Sequence, residues 1–490
     1  ITLPRFGKDF QKSLDLGKVD SSLFNGFRWS GGLPAFLQGF LRRVFDPSGT
    51  VLPDPDIDAI FAVRQLCFVF EKIALECSKE RFRKAMDGYV QTERDVKAAD
   101  GRVPAKELLH LRNSFAMLFG NTIDRLNRDL RDGRYDRFVP KHGPGATADH
   151  LVGNQKFQQS SWSSRLERVL PAGEFIIPNW KYYAHLQGVD ILPPGAEQPV
   201  RVISVPKTLK TPRIIAIEPT AMQYAQQAVL HAILSTWRED EFLSQYITLQ
   251  DQTPNQRMAR DGSINRRLAT VDLSEASDRV SNQLVRYLLA PWPDFHEAVD
   301  ACRSRSADVP DYGVIRLAKF ASMGSALTFP IETMVFISIV FNRLRIAHPT
   351  ASIQDLKTRA LESTRAYGDD LIVPVDMVRD VITDLKSFGF KVNDDKTFYN
   401  GSFRESCGKD YYDGVDVSVT RLRRVFPTSH RDASEVVAMV SFRNQLYFAG
   451  LWTTCRWLDR RIQKILNHFP RLSTTSPGLG RHSFLPDHTI

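Results

Sequence analysis

The chain has 490 residues, of which 42% are hydrophobic and 25% charged. That composition is ordinary for a folded protein and excludes a disordered one. The length exceeds what one hydrophobic core sustains, so two or three lobes around a shared cleft are expected. Lys and Arg number 65 against 56 Asp and Glu, a formal surplus of +9, which suits a polyanionic partner without identifying one. The five cysteines (Cys67, Cys77, Cys302, Cys407 and Cys455) are scattered, with no CxxC pair. That pattern argues for a reducing compartment, against a disulfide framework and against a zinc site. The most apolar stretch, 335–341, falls far short of the roughly 20 residues of a membrane span, and no signal-peptide pattern is seen. Because the chain opens on Ile1 rather than Met, residues preceding it in the natural protein are expected to be missing.

There is no internal repeat. Pro/Gly clusters at 46–55, 140–146, 192–199 and 476–486 punctuate the chain. Residues 56–77 and 105–130 carry apolar side chains at three-and-four spacing and are predicted helices. Residues 201–205 and 213–217 read as short strands joined by a basic turn, and 221–237 as a helix. LATVDL at 268–273 has a buried-strand pattern and leads into a predicted helix at 278–289, with Val280, Leu284 and Leu288 on one face. A long apolar helix is predicted at 328–344. RAYGDDLIVP at 365–374 reads as two strands meeting in a tight turn, followed by an amphipathic helix at 378–388. Further strands are expected at 392–398 and 409–417. Residues 435–469 read as helical, carry Phe442, Tyr447, Phe448 and Trp452, and end in basic residues. Strands interleaved with helices indicate a mixed sheet-and-helix fold.

Four patterns carry chemistry. In Tyr367-Gly368-Asp369-Asp370 two adjacent carboxylates repel one another and are costly to desolvate, so a fold gains little from them. A divalent cation removes the conflict, and Gly368 permits the tight turn. A bare Asp-Asp pair reads better as a solvated turn; the flanking Tyr-Gly and Leu-Ile-Val reverse that preference in favour of the metal site. Asp272 closes the apolar run 268–271, with Asp278 six positions on, and an N-cap is the bland reading of Asp278. Three carboxylates from two strands match two-metal phosphoryl transfer, with Mg²⁺ as the hard-oxygen ion of choice. The basic segment with Lys207, Lys210 and Arg213 is either a solvated hairpin or a clamp for a triphosphate. The small-residue loop Ser322-Met323-Gly324-Ser325, followed by Thr328, lets a nucleotide or template backbone approach closely, or is simply a loop before a core helix. The chain contains no GxxxxGK[ST], so a P-loop ATPase is not indicated.

The order of these patterns decides between the readings. Basic clamp, strand Asp, small-residue loop with helix, GDD hairpin and lysine-bearing strand follow one another as in a polymerase palm. The segments VPKTLKTPRIIAIEP (205–219), ATVDLSEASDRVS (269–281), SMGSALTFPIET (322–333), YGDDLIVP (367–374) and KTFYNGSFRESCGKDYYDGVDV (396–417) resemble the catalytic beta subunit of the RNA-directed RNA polymerases of single-stranded RNA bacteriophages. Weaker likeness extends to HGPGATAD (142–149) and FRWSGGLPAFLQ (27–38).

That resemblance implies an α+β fold of right-hand architecture, with an antiparallel palm sheet packed on helices. It implies an N-terminal fingers-side region at 1–200, basic fingers strands and helix at 201–257, a palm at 258–425 with its motif core at 258–390, and a helical thumb at 426–490. Asp272, Asp369 and Asp370 would hold two Mg²⁺ ions, for which Mn²⁺ or Ca²⁺ could substitute. Lys396 would protonate the leaving pyrophosphate. Lys207, Lys210 and Arg213 would line the triphosphate channel, Asp278 would sit near the ribose 2′-hydroxyl, and Ser322, Gly324 and Thr328 would support nucleotide and template. The implied partners are RNA template and product, ribonucleoside triphosphates, host elongation factors Tu and Ts and a host ribosomal RNA-binding protein, in the cytoplasm of an infected bacterium and without a membrane. There are departures. Glu332 stands where animal-virus enzymes often carry an Asn that selects the sugar, Asp272 and Asp278 are one residue further apart than in many of those enzymes, and the N-terminus is short for the family. A reverse transcriptase is disfavoured by Gly368, where those enzymes carry a bulkier residue. A non-catalytic RNA-binding protein is disfavoured by three intact aspartates.

Overall fold

The structure, a computed structural model, describes residues 2–207 and 211–485. The expected clamp residue Lys210 lies outside the described residues. The chain forms two compact units, one comprising 1–82, 205–213 and 409–490 and the other 83–204 and 214–408.

The first unit joins the two ends of the chain. Its helix Leu3–Leu16 is capped by Thr2 and buries Phe6 against Phe24, Phe27 and Phe36, with ring centroids 4.8–5.1 Å apart. A second helix, Ile57–Phe68, stops nine residues before the predicted end at 77. Beyond Phe68 the backbone bonds elsewhere, with Leu422 donating to the Val69 carbonyl and Ala74 to the Arg423 carbonyl. Tertiary pairing therefore overrides a helical pattern. Fully buried Arg64 meets Asp410 at 2.8 Å. The predicted helix at 435–469 is two helices, Ala433–Phe448 and Trp452–Leu466, packed through Met439, Leu446, Cys455, Leu458 and Ile462. The predicted strand at 409–417 is likewise two strands, Lys409–Tyr412 and Val415–Asp416, paired antiparallel.

The second unit is built on helices α1 (Lys79–Ala99) and α2 (Ala105–Arg131). Strands β1 (Val200–Val205) and β2 (Arg213–Ile217) follow, then α3 (Thr220–Glu239) and α4 (Thr253–Asn265). Next come β3 (Leu268–Val271), β4 (Leu273–Ser274), the short α5 (Ala276–Arg279) and α6 (Asn282–Leu289). The 20-residue α8 of the core is preceded by one further helix, α7 (Pro293–Ala301), and itself spans Thr328–Ala347. The chain continues through β5 (Arg365–Tyr367), β6 (Asp370–Pro374), α9 (Val378–Ser387), β7 (Lys391–Val392) and β8 (Phe403–Ser406). Helix α8 is apolar around its circumference and is accordingly buried on all sides. It packs against α2 and α9, with Ser114 donating to Asn342 at 3.0 Å.

The central sheet has the order β5-β6-β3, all antiparallel. Its strands bury Val271, Leu371, Ile372 and Val373 almost completely. Fold class and the antiparallel sheet packed on helices are as expected. Two local expectations are corrected. The helix predicted over 278–289 is broken, because the backbone at Val280 and Asn282 bonds to the segment 318–320 (Phe320 N–H to Val280 O, 2.7 Å; Asn282 N–H to Ala318 O, 3.0 Å). Ser281, not Asp278, then caps α6 through Gln283 and Leu284. The lysine-bearing strand predicted at 392–398 is interrupted: β7 is followed by a 3₁₀ turn, Asp394–Lys396, and then by a single antiparallel bridge from Phe398 to Thr270. Asn393 still continues the β7 ladder, donating its N–H to the Asp272 carbonyl at 2.8 Å, and the strand ends where the Lys396 N–H turns back to the Asn393 carbonyl at 3.0 Å.

Candidate active site

The aspartates meet at one end of the β5-β6-β3 sheet. Tyr367 pairs with Asp370 across a two-residue turn, Gly368-Asp369. Gly368 has φ +61°, the left-handed first position that type II′ hairpins give to glycine. A Cβ here would lie 2.4 Å from Phe329, so only glycine fits, and its N–H donates to Thr333 Oγ1 at 3.1 Å. On the other side of β6, Leu371 is opposite Val271. Continuing that register one residue sets Asp370 opposite Asp272, with Cβ atoms about 5 Å apart. The apolar strands fix the position, and the turn adds Asp369 beside them.

The cluster is strongly desolvated. Burial pushes the Asp272 carboxyl up to about 6; Lys396 and the Asn393 hydrogen bond oppose this, while Asp369 and Glu405 add to it. Burial, then Asp369, Asp272 and Glu405, push Asp370 up to about 7. Asn393 donates to Asp272 Oδ2 at 2.7 Å. Lys396 Nζ lies 3.7 Å from Asp272 Oδ1 and 3.1 Å from Glu405 Oε1. Glu405 beside it, together with Asp272, holds the Lys396 ammonium well above the ordinary lysine range. Sequence reasoning missed Glu405 and Asn393. Glu405 stood inside a quoted motif and Asn393 in the strand predicted at 392–398, but only the return of β7 to β4 and of β8 to β3 brings them to the aspartates.

Among the described residues no three His, Cys, Asp or Glu side chains form a ready-made metal cage. The donors still suit Mg²⁺, which takes one or two carboxylates and completes its shell with water and substrate phosphates. The raised carboxyls mark a place where negative charge is under-compensated, which is where a divalent cation fits.

A second group adjoins the first. Asp278 lies on α5 with Lys319 Nζ 2.7 Å from its Oδ1. Glu332, on α8, is buried; burial first, then Asp369 and Asp278, push its carboxyl up to about 8 against a hydrogen bond from Ser277. Its Oε2 finds no hydrogen-bond partner among the described residues. Glu332 thus lies against the hairpin, its Oε1 3.1 Å from where a Cβ on Gly368 would be. In the small-residue loop, Ser322 Oγ meets Tyr89 OH at 2.8 Å and Thr328 Oγ1 donates to the Ser322 carbonyl at 2.8 Å. Gly324, at φ +137°, approaches β2 so closely that a Cβ would sit 1.9 Å from the Ala216 carbonyl oxygen. The structure therefore brings Asp272, Asp369, Asp370, Lys396, Asp278, Ser322, Gly324 and Thr328 into one unit. Lys207 and Arg213 are exposed and belong to the first unit.

The sequence profile of the RNA replicase beta-chain family matches residues 196–445, just over half of the chain, and the chain belongs to that family. It is 35% identical over 294 residues to the RNA-directed RNA polymerase subunit beta of Qbeta virus (strain MX1), covering 59% of this chain and 44% of that protein. To the RNA-directed RNA polymerase beta chain of Escherichia phage MS2 it is 38% identical over 278 residues, covering 57% and 45%. The matched region spans less than half the length of these relatives. Among solved structures, the BmCPV RNA-dependent RNA polymerase at elongation state aligns with a TM-score of 0.44 and 12% identity over 69% of this chain and 31% of that one.

Proposed function

We propose that this chain is a template-directed RNA polymerase that copies a single-stranded RNA phage genome from ribonucleoside triphosphates. Family membership supports the coarse reading. The observation that carries the mechanism is the convergence of Asp272, Asp369 and Asp370 at one sheet end, with two of them held far above the ordinary carboxylate range. Bound Mg²⁺, with Mn²⁺ or Ca²⁺ as substitutes, would supply charge to activate a 3′-hydroxyl and stabilise the leaving pyrophosphate. Asp272 and Asp370 fix the ligand oxygens on paired strands, and Asp369 adds a third from the turn. Lys396, held by Glu405 and Asp272, carries the proton nearest these ligands and is the candidate donor to pyrophosphate. Lys207, Lys210 and Arg213 bind the triphosphate, and Asp278 faces the ribose.

In this reading 1–200 and 201–257 form the fingers side, 258–425 the palm and 426–490 the thumb. The implied partners are host elongation factors Tu and Ts and a host ribosomal RNA-binding protein, and the implied place of action is the cytoplasm of the infected bacterium. Among the described residues no helix is long and apolar enough to cross a membrane.

The test is incubation of the chain with RNA or DNA templates, Mg²⁺ and either ribo- or deoxyribonucleotides. The expected product is RNA complementary to an RNA template. Incorporation of deoxyribonucleotides alone would favour a reverse transcriptase, and RNA binding without any product would favour a non-catalytic protein.

A further inference from the structure

Lys319 is the most enclosed cation of the second unit's site: its side chain is fully buried. It is held between two carboxylates, Asp278 Oδ1 at 2.7 Å and Glu93 Oε1 at 3.1 Å, and its ammonium lies 3.5 Å from the centre of the Tyr89 ring. Glu93 is itself fixed, because its Oε2 accepts the Ala318 N–H at 2.6 Å. Both Glu93 and Tyr89 come from α1, far away in sequence. The Lys319 backbone is bridged to Ser281, three residues beyond Asp278, so lysine and aspartate are anchored to the same backbone ladder.

Burying such a triad is costly, and well-packed apolar side chains of similar volume would often be as stable or more so. Its geometry accounts for it otherwise. The Asp278 side chain remains about a quarter exposed. Its helix α5 packs on α8, where Glu332 is hydrogen-bonded by Ser277, next to Asp278, and has Oε1 3.1 Å from where a Cβ on Gly368 would sit, so Asp278 borders the aspartate hairpin. With Oδ1 tied to Lys319, the carboxylate cannot rotate freely, and Oδ2 is left to meet a ligand. Tyr89, stacked against the same ammonium, also reaches Ser322 of the small-residue loop.

We propose that Lys319 is a positioning residue for sugar recognition: by clamping one oxygen of Asp278 it presents the other to the 2′-hydroxyl of an incoming ribonucleotide. This rests on the polymerase reading above. Lys319 touches no substrate; it acts through Asp278, with Glu93 and Tyr89 holding it in place.

The experiment measures binding of ATP and of 2′-deoxy-ATP to the full chain with a primed RNA template and Ca²⁺, alongside extension with Mg²⁺. Wild type is expected to bind ATP at least about tenfold more tightly than 2′-deoxy-ATP, the range of one hydrogen bond to a charged group. Lys319→Met is expected to reduce that preference to about threefold or less by weakening ATP while leaving 2′-deoxy-ATP unchanged. Glu93→Gln weakens the hold on Lys319 without removing the Lys319–Asp278 contact, and is expected to lower the preference less than Lys319→Met does. Should Lys319→Met not fold, Lys319→Gln serves instead and is expected to lose at least part of it. Equal weakening of both nucleotides, an unchanged ratio, or a wild type without preference would overturn the proposal. Absence of extension by the wild type would instead overturn the polymerase reading, so the two failures are distinguishable.

Discussion

Buried carboxylates are treated differently in the two units. In the first, Asp410 is matched by fully buried Arg64 at 2.8 Å, and the pair ties a helix to the chain's later segment. In the second, Asp272, Asp369, Asp370 and Glu405 gather around Lys396, and burial with mutual repulsion pushes Asp272 to about 6 and Asp370 to about 7. Compensated charge marks scaffold; under-compensated charge marks a site that awaits a ligand.

The comparison breaks most readily at Arg64. Arg64→Ala strands a buried Asp410 and is expected to cost about 3–5 kcal/mol of stability. A denaturation midpoint close to wild type would show that the pair is not structural. In the other unit removal of charge has the opposite sign. Asp370 has a folded pKa raised above its unfolded value, so its contribution to stability is full below about pH 4 and is lost as pH rises through about 7. Asp370→Asn escapes that loss. In metal-free buffer it is expected to leave the melting temperature nearly unchanged at pH 4 and raise it by roughly 2 °C or more at pH 8. Mg²⁺ is expected to raise the melting temperature of the wild type at pH 8 and to do so less in the variant. A lower melting temperature for Asp370→Asn at pH 8 would contradict the charge imbalance.

Lys207→Ala sharpens the assignment of the basic turn. It is expected to raise the apparent KM for nucleotides about tenfold, since hydrogen bonds to charged groups contribute about 1.5–3 kcal/mol, while template affinity changes little. An unchanged nucleotide dependence would return that turn to a solvated hairpin. The smallest expected effect is at Ser281. Ser281→Ala removes the cap of α6 and should cost about 1 kcal/mol without altering nucleotide preference, separating Ser281 from its neighbour Asp278.

The core of the site was legible because its signal is local. Gly368 in a left-handed turn, apolar strands on both sides and adjacent carboxylates are all contiguous in the chain, and the sheet forms where that pattern predicts. Legibility stopped where distant segments intervene. Backbone bonding to the segment 318–320 broke the helix expected at 278–289 and moved the cap from Asp278 to Ser281. Lys319, Glu93 and Tyr89 are scattered over more than two hundred positions and carry no motif, so only the fold shows that they surround Asp278. The end of the helix Ile57–Phe68 was set by bonding to 422–423, which helical periodicity does not encode.

The central claim is that the aspartate cluster performs chemistry rather than holding the fold. It is tested most directly with Asp369→Asn, by measuring primed RNA extension with Mg²⁺ and RNA binding on the same preparation. Loss of extension on the order of 10³-fold or more, with RNA affinity within about twofold of wild type, is the predicted result. Near-normal extension by the variant would contradict it.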